Sequence, residues 1–258
     1  MPLPMLKRMR PKLLSRILLT LTLLTAGQAL AQERVLYDSR LPFPEPRLTE
    51  SERGRVQYFA RQALALNAWG ADNAEYCTDD FRIEGAAPGS FTAKGRPQMA
   101  YLYTQCYQRP GNLQGLVILE GLNVAAHYVF VNHYSSMYTL KDINRNGFTE
   151  LALDGGFTGQ GYTEGWLDIA ELGPVRRMLG QLNYERLPQP YQDNCGAVES
   201  GGRWTSALIR VTPGPTPKYT WQELTGNCGN ERVATKIGPV KPLKLTPAPT
   251  GWDKGPLK

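Results

Sequence analysis

The sequence predicts a mainly β chain: an antiparallel β-meander of sandwich or propeller-blade style, with one N-terminal helix. Three observations carry this. Gly (26) and Pro (20) make up about 18% of the 258 residues against a usual ~12%, which calls for many turns and argues against a helical bundle. One segment alone has a sustained helical apolar period, and from residue 98 onward the period is two. Apolar residues at 41% and aromatics at 10% supply enough core material to exclude global disorder.

The elements follow in order. Lys7, Arg8, Arg10, Lys12 and Arg16 precede a short Leu/Thr-rich stretch from Ile17 to Thr25, and Ala29-Leu30-Ala31 places small residues before a cut at Gln32. That is the pattern of a secretory signal peptide over 1–31. The apolar run is roughly half the ~20 residues that span a bilayer. The expectation is export to the periplasm or medium, with cleavage after Ala31 and no transmembrane span in the mature chain. The leader also explains the basic balance: without its five bases, 29 Lys+Arg become 24 against 23 Asp+Glu. A nearly neutral mature chain offers no electrostatic footprint for nucleic acid.

Residues 32–47 form a Pro-rich extended lead, since Leu41-Pro42-Phe43-Pro44-Glu45-Pro46 can neither continue a helix nor enter a central strand. The main domain is expected over 48–187. Thr49 and Glu52 make a capping box ahead of Val56, Phe59, Ala60, Ala63 and Leu64, one apolar face of a helix that Trp69-Gly70 ends. Ala100, Leu102, Thr104 and Cys106 then alternate with Tyr101, Tyr103, Gln105 and Tyr107 as a half-buried strand. Leu116 to Leu119 reads as a central strand, and Val124 to Val131 pairs back across Gly121-Leu122-Asn123. Further strands are expected at 138–141, 150–153, 165–172 and 178–184. A C-terminal hairpin subdomain, 188–246, has strands at 204–211 and 219–224, and 247–258 is expected to be a flexible tail.

Cys77, Cys106, Cys195 and Cys228 form an even set in a chain that reads as exported, so they are expected to pair. Of three connectivities, Cys77–Cys106 and Cys195–Cys228 keep each pair inside one segment. Each closes a loop of about thirty residues, worth ~3.5 kcal/mol by chain entropy. No CxxC or Cys/His spacing supports zinc.

One motif carries chemistry. The loop Asp142-Ile143-Asn144-Arg145-Asn146-Gly147-Phe148-Thr149-Glu150 has oxygen-bearing side chains at positions 1, 3, 5 and 9 and Gly at position 6. Such a loop wraps hard oxygens around one point, with the Phe148 carbonyl at position 7, as Ca²⁺ requires. Position 12, where an EF-hand places Glu, is Leu153. The segment from about 140 to 180 resembles the Ca²⁺ loop of FG-GAP/VCBS-type repeats, found in the β-propellers of integrin α-subunits. The resemblance implies a strand–loop–strand with Leu151-Ala152-Leu153 as the following strand and a Ca²⁺ ion on Asp142, Asn144, Asn146, Phe148 and Glu150. A single copy is present and both middle ligands are Asn. Asn146-Gly147 is equally a metal-free hairpin signal, and both readings stay open.

No nucleophile elbow, zincin motif or phosphate loop is present. His127 and His133 lie about 20 Å apart along an extended chain, too far to share one metal. Tyr101, Tyr103 and Tyr107 share one strand parity, and with Trp166, Trp204 and Trp221 they are candidates for a glycan- or peptide-binding face. Asp79, Asp80, Glu120, Asp154 and Asp168 are the acids placed for a carboxylate pair. The expected function is therefore binding of a surface protein, peptide or glycan without catalysis, the alternative being a polysaccharide hydrolase using two carboxylates.

Overall fold

The computed structural model describes residues 32–254, apart from 64, 74, 76, 78–80, 108–110, 184 and 199. The expected signal peptide, Leu64, Asp79, Asp80 and Tyr184 lie outside the described residues. The rest is mainly β and antiparallel throughout, as the alternation and turn content require.

The helix forms where the capping box places it. The Glu52 carboxylate accepts the Thr49 N–H at 2.7 Å and the Thr49 hydroxyl accepts the Glu52 N–H at 3.3 Å, which starts α1 (Glu50–Ala63). Its buried face, Val56, Phe59, Ala60 and Ala63, covers Tyr101, Tyr103, Val117 and Val129 of a sheet beneath. A second helix, α2 (Ala68–Asp72), was not expected. Asn67 Oδ1 accepts the N–H groups of Trp69 and Gly70, so the pair read as a helix stop sits inside a new capped turn.

The sheet under α1 has the order β15-β5-β4-β3-β2. Its strands are β2 (Arg82–Gly89), β3 (Gln98–Cys106), β4 (Asn112–Glu120), β5 (Asn123–Asn132) and the short β15 (Asp253–Lys254). Both faces are covered, so β4 is continuously apolar over Leu116–Leu119. Strand β2 was not expected; it holds Gly85 and Pro88, and as an edge strand it tolerates both.

The larger sheet contains β1 (Arg34–Tyr37), β6 (Tyr134–Thr139), β7 (Leu151–Gly159), β8 (Tyr162–Glu171), β9 (Arg177–Leu182), β10 (Tyr191–Asp193), β11 (Arg203–Thr212) and β12 (Lys218–Asn227), with β13 (Lys236–Ile237) and β14 (Lys241–Leu243) on β12. Strand β10 pairs with the start of β8 on one side and the start of β11 on the other. Beyond it β8 takes β9 and β11 takes β1. The sheet therefore splays from β10 and folds over an inner core containing Leu167 and Ile169 on one half and Ile209, Val211 and Trp221 on the other. No ladder joins β1 to β6 among the described residues; instead the Tyr138 hydroxyl donates to the Leu36 carbonyl at 2.8 Å.

The two sheets pack over a second core that includes Leu102, Leu116, Ile118, Phe130, Met137, Leu151 and Leu153. Two disulfides form, Cys77–Cys106 and Cys195–Cys228, the pairing that sequence locality favours. They mark a chain that folds in an oxidising compartment. No helix among the described residues is long and apolar enough to cross a membrane.

The C-terminal segment differs from the expected free tail. Ala248 bridges Met178 of β9, Trp252 is buried against Phe130 with centroids 4.6 Å apart, and β15 pairs with Tyr128 and Val129. A large aromatic ring between two sheets outweighs the entropy of ordering a few Pro- and Thr-rich residues. Trp252→Ala is expected to cost about 3–5 kcal/mol of stability, read as a lowered urea midpoint with nearly unchanged slope.

Candidate functional site

The 142–150 loop joins β6 to β7 and is organised by its own polar side chains. Asp142 accepts the N–H of Asn146 on Oδ1 at 2.8 Å and that of Gly147 on Oδ2 at 3.0 Å. Asn144 and Asn146 accept backbone N–H groups two residues on, at 3.1 and 2.9 Å. Glu150, buried at the start of β7, accepts the N–H of Ile143 at 2.9 Å and of Asn144 at 3.4 Å. Burial nevertheless pushes its carboxyl up to about 7. Lys141, Asp142, Arg145 and Gly147 all have left-handed backbone, with φ of 53°, 50°, 57° and 90°. Three non-glycine residues in that region within five positions mark a strained loop whose shape is over-determined by its side-chain bonds.

One participant is invisible in the sequence pattern. Glu171, at the end of β8, receives the side-chain amides of Asn144 and Asn146 on Oε2 at 2.6 and 2.5 Å, while Arg177 pairs with Oε1 at 3.1 Å. It lies 21 residues beyond Glu150 and reads locally as an ordinary strand-end acid. Only the β7–β8 ladder brings it to the loop. Among the described residues no three His, Cys, Asp or Glu side chains form a metal-holding group. The donors here are partly Asn144 and Asn146, and the set is one of hard oxygens. The Phe148 ring is buried and carries the Lys94 ammonium at 5.3 Å from its centroid.

The tyrosines nominated for a binding face are not on one. Tyr101 and Tyr103 are buried beneath α1, where the Tyr101 hydroxyl donates to Glu52 at 2.7 Å and Tyr103 bonds His127 Nε2 at 2.7 Å. The β3 register shifts between Thr104 and Cys106, and this turns Tyr107 out of their parity. Its hydroxyl meets Glu84 at 2.5 Å, the same carboxylate that Thr104 contacts. Trp204 and Trp221 are buried core residues, and Trp166 packs half-buried against the inter-sheet core. His127 is fully buried, and burial lowers its imidazole to about 4; the His133 ring meets Trp166 with centroids 6.3 Å apart.

The nominated acids among the described residues, Glu120, Asp154 and Asp168, do not assemble into a pair. The β7–β8 register sets Asp154 opposite Leu167 and Leu153 opposite Asp168, so Asp154 and Asp168 point to opposite faces. Asp168 faces the inter-sheet core, where Tyr134 donates to it, and Asp154 faces the inner core, where Tyr37 does. Glu120 sits on the far sheet in an ion pair with Arg96. Burial pushes Asp154 up to about 7 and Asp168 to about 6. The chain matches no protein-family model, no curated protein and no solved structure.

A carboxyl raised in the folded state keeps its proton while the unfolded chain has lost it. Asp154 therefore favours the folded state at low pH, and that contribution is lost as pH rises from about 4 to about 7. His127, lowered in the folded state, acts in the opposite sense between about 4 and 6.5. The clean readout is the difference between variants. Asp154→Asn is expected to gain stability over wild type as pH rises from 5 to 8, by about 2.6 kcal/mol, in urea titrations with EDTA present.

Proposed function

We propose that the chain is exported, with its leader cleaved after Ala31, and works as a non-enzymatic binding protein whose 142–150 hairpin takes a Ca²⁺ ion. The observation that carries the ion is the gathering of Asp142, Asn144, Asn146 and Glu150 in one strained loop, joined by Glu171 from the neighbouring strand. The donor set supports the ion at Asp142 and Glu150: Ca²⁺ takes six to eight oxygens, and each of their carboxylate oxygens accepts one N–H and retains a second lone-pair direction, whereas Glu171 Oε2 accepts two amide groups that an ion would have to displace. This is the arrangement that the resemblance to an FG-GAP/VCBS-type loop implies, with Glu171 as an addition.

Ca²⁺ here would tie the β6–β7 connection to the end of β8 and relieve the burial of like charges. Lys141 and Arg145 flank the loop, and its middle positions are neutral Asn, so the affinity belongs to the weak extracellular range of about 10⁻⁴–10⁻³ M. Binding is preferred over polysaccharide hydrolysis because the buried acids nominated for a carboxylate pair stand on opposite faces of one sheet.

Thermal melts of the purified oxidised protein in EDTA and in about 5 mM CaCl₂ test the ion. A native-only site of that strength stabilises by about 1–2.3 kcal/mol, which appears as a rise in Tm. Asp142→Ala and Glu171→Gln are expected to remove the rise, and equimolar MgCl₂ to give a smaller one. An unchanged Tm in wild-type protein would reduce the loop to a metal-free Asn-Gly hairpin.

A further inference from the structure

A second candidate site lies at the open end of the β6–β7 pair, away from the loop. The fold line of the larger sheet leaves a cavity of about 450 Å³ there, within the ~300–1,000 Å³ usual for small-molecule sites. Its origin is local. On the inner face, Asp154 is followed by Gly156 opposite Gly165, and then by Thr158 opposite Thr163. Two facing glycines remove the side chains that would extend the Leu167 and Ile169 packing toward the rim. A Cβ at Gly165 would lie 3.1 Å from that of Tyr191.

The walls come from three separate segments: Tyr37 on β1, Phe43 in the Pro-rich lead and Tyr191 on β10. Asp154, 9% exposed, lines the cavity with its carboxyl held by the Tyr37 hydroxyl. Glu164 and Glu231 also line it, and no Lys, Arg or His does. Aromatic faces attract cations through the ring quadrupole, and a buried carboxylate without a counter-charge is costly until a cation arrives. A neutral sugar would gain from the aromatics but would leave this charge unbalanced.

We propose that this cavity binds a small organic cation, an amine or quaternary ammonium, held by Asp154 with Glu231 at the rim and packed against Tyr37, Phe43 and Tyr191. The site is independent of the calcium reading, because it shares no residue with the 142–150 loop. It names the kind of small ligand that a binding protein of this architecture would take.

The groups around Asp154 are the phenols of Tyr37, Tyr138 and Tyr191 and the carboxyls of Glu164 and Glu231, with no base among them. Burial pushes Asp154 up to about 7, so affinity for a permanent cation should climb as pH rises through that value.

Isothermal titration calorimetry of the purified protein in EDTA makes the test, with choline, its neutral isostere 3,3-dimethylbutan-1-ol, and cellobiose as probes. Choline is expected to bind saturably, at least about tenfold more tightly than the neutral alcohol, and more tightly at pH 8 than at pH 6. Asp154→Asn, which keeps the shape and a hydrogen-bond acceptor, should remove both the preference and the pH dependence in a protein that still melts cooperatively. Glu231→Gln, on the exposed rim, should weaken choline without affecting folding. Equal binding of choline and the alcohol, no binding of choline, cellobiose binding alone, or a folded Asp154→Asn protein that retains wild-type preference would each overturn the proposal. EDTA keeps the outcome separate from that of the calcium melts.

Discussion

The end of β7 nearer the loop, Leu151–Gly155, and the end of β8 paired with it, Leu167–Glu171, are covered on both faces, and this constraint organises the molecule. Their outward side chains fill the space between the two sheets, and their inward ones fill the fold of the larger sheet. A polar side chain placed on these buried stretches must then find a partner, because water is not available to solvate it. Asp168 is met by Tyr134, Asp154 by Tyr37, and Glu171 by Asn144, Asn146 and Arg177. Three acids on one hairpin thus fix the relative positions of β1, β6 and the 142–150 loop. The same burial that makes these bonds specific raises Asp154 and Asp168 toward neutrality.

The fold line at β10 is the second determinant. A three-residue strand bridges the two halves, so the line is held largely by bonds outside the ladder. Ser206 donates to the Pro190 carbonyl at 2.6 Å and accepts from Ser39 at 2.7 Å, tying β11 to both the β10 approach and the turn after β1. Cys195, two residues past β10, bonds Cys228 just after β12, and so ties the segment leaving β10 to the β11–β12 half. The other disulfide ties Cys77 to the end of β3 and keeps the helical layer on its sheet.

At their edges the sheets meet through backbone proximity. A Cβ on Gly85 would fall 2.7 Å from that of Met137, so β2 and β6 approach as closely as a glycine allows. On the opposite side Trp252 and the final residues cross from β9 to β5. The molecule is closed by a glycine at one edge and by a buried ring at the other.

Period and turn chemistry, which act between near neighbours, made much of the fold legible in the sequence. The capping box began α1 where expected, and the alternation from 98 to 107 and the apolar run at 116–119 became β3 and β4. The Asp/Asn-rich segment connected two strands, and cysteine locality matched the observed pairs. What failed depended on long-range register. The shift between Thr104 and Cys106 turned Tyr107 away from Tyr101 and Tyr103, and α1 buried those two. A one-residue offset between β7 and β8 separated Asp154 from Asp168. Glu171 joined the loop, and Gly156 and Gly165 opened a cavity, because cross-strand pairing brought distant positions together. The sequence by itself determined α1, the central strands β3, β4 and β5, the crosslinks and the self-bonded loop, since each rests on contacts within a few residues or on one chemistry. Which faces met, and therefore which acids share a site, was decided by the tertiary structure, because a strand's two faces differ by a single residue of register.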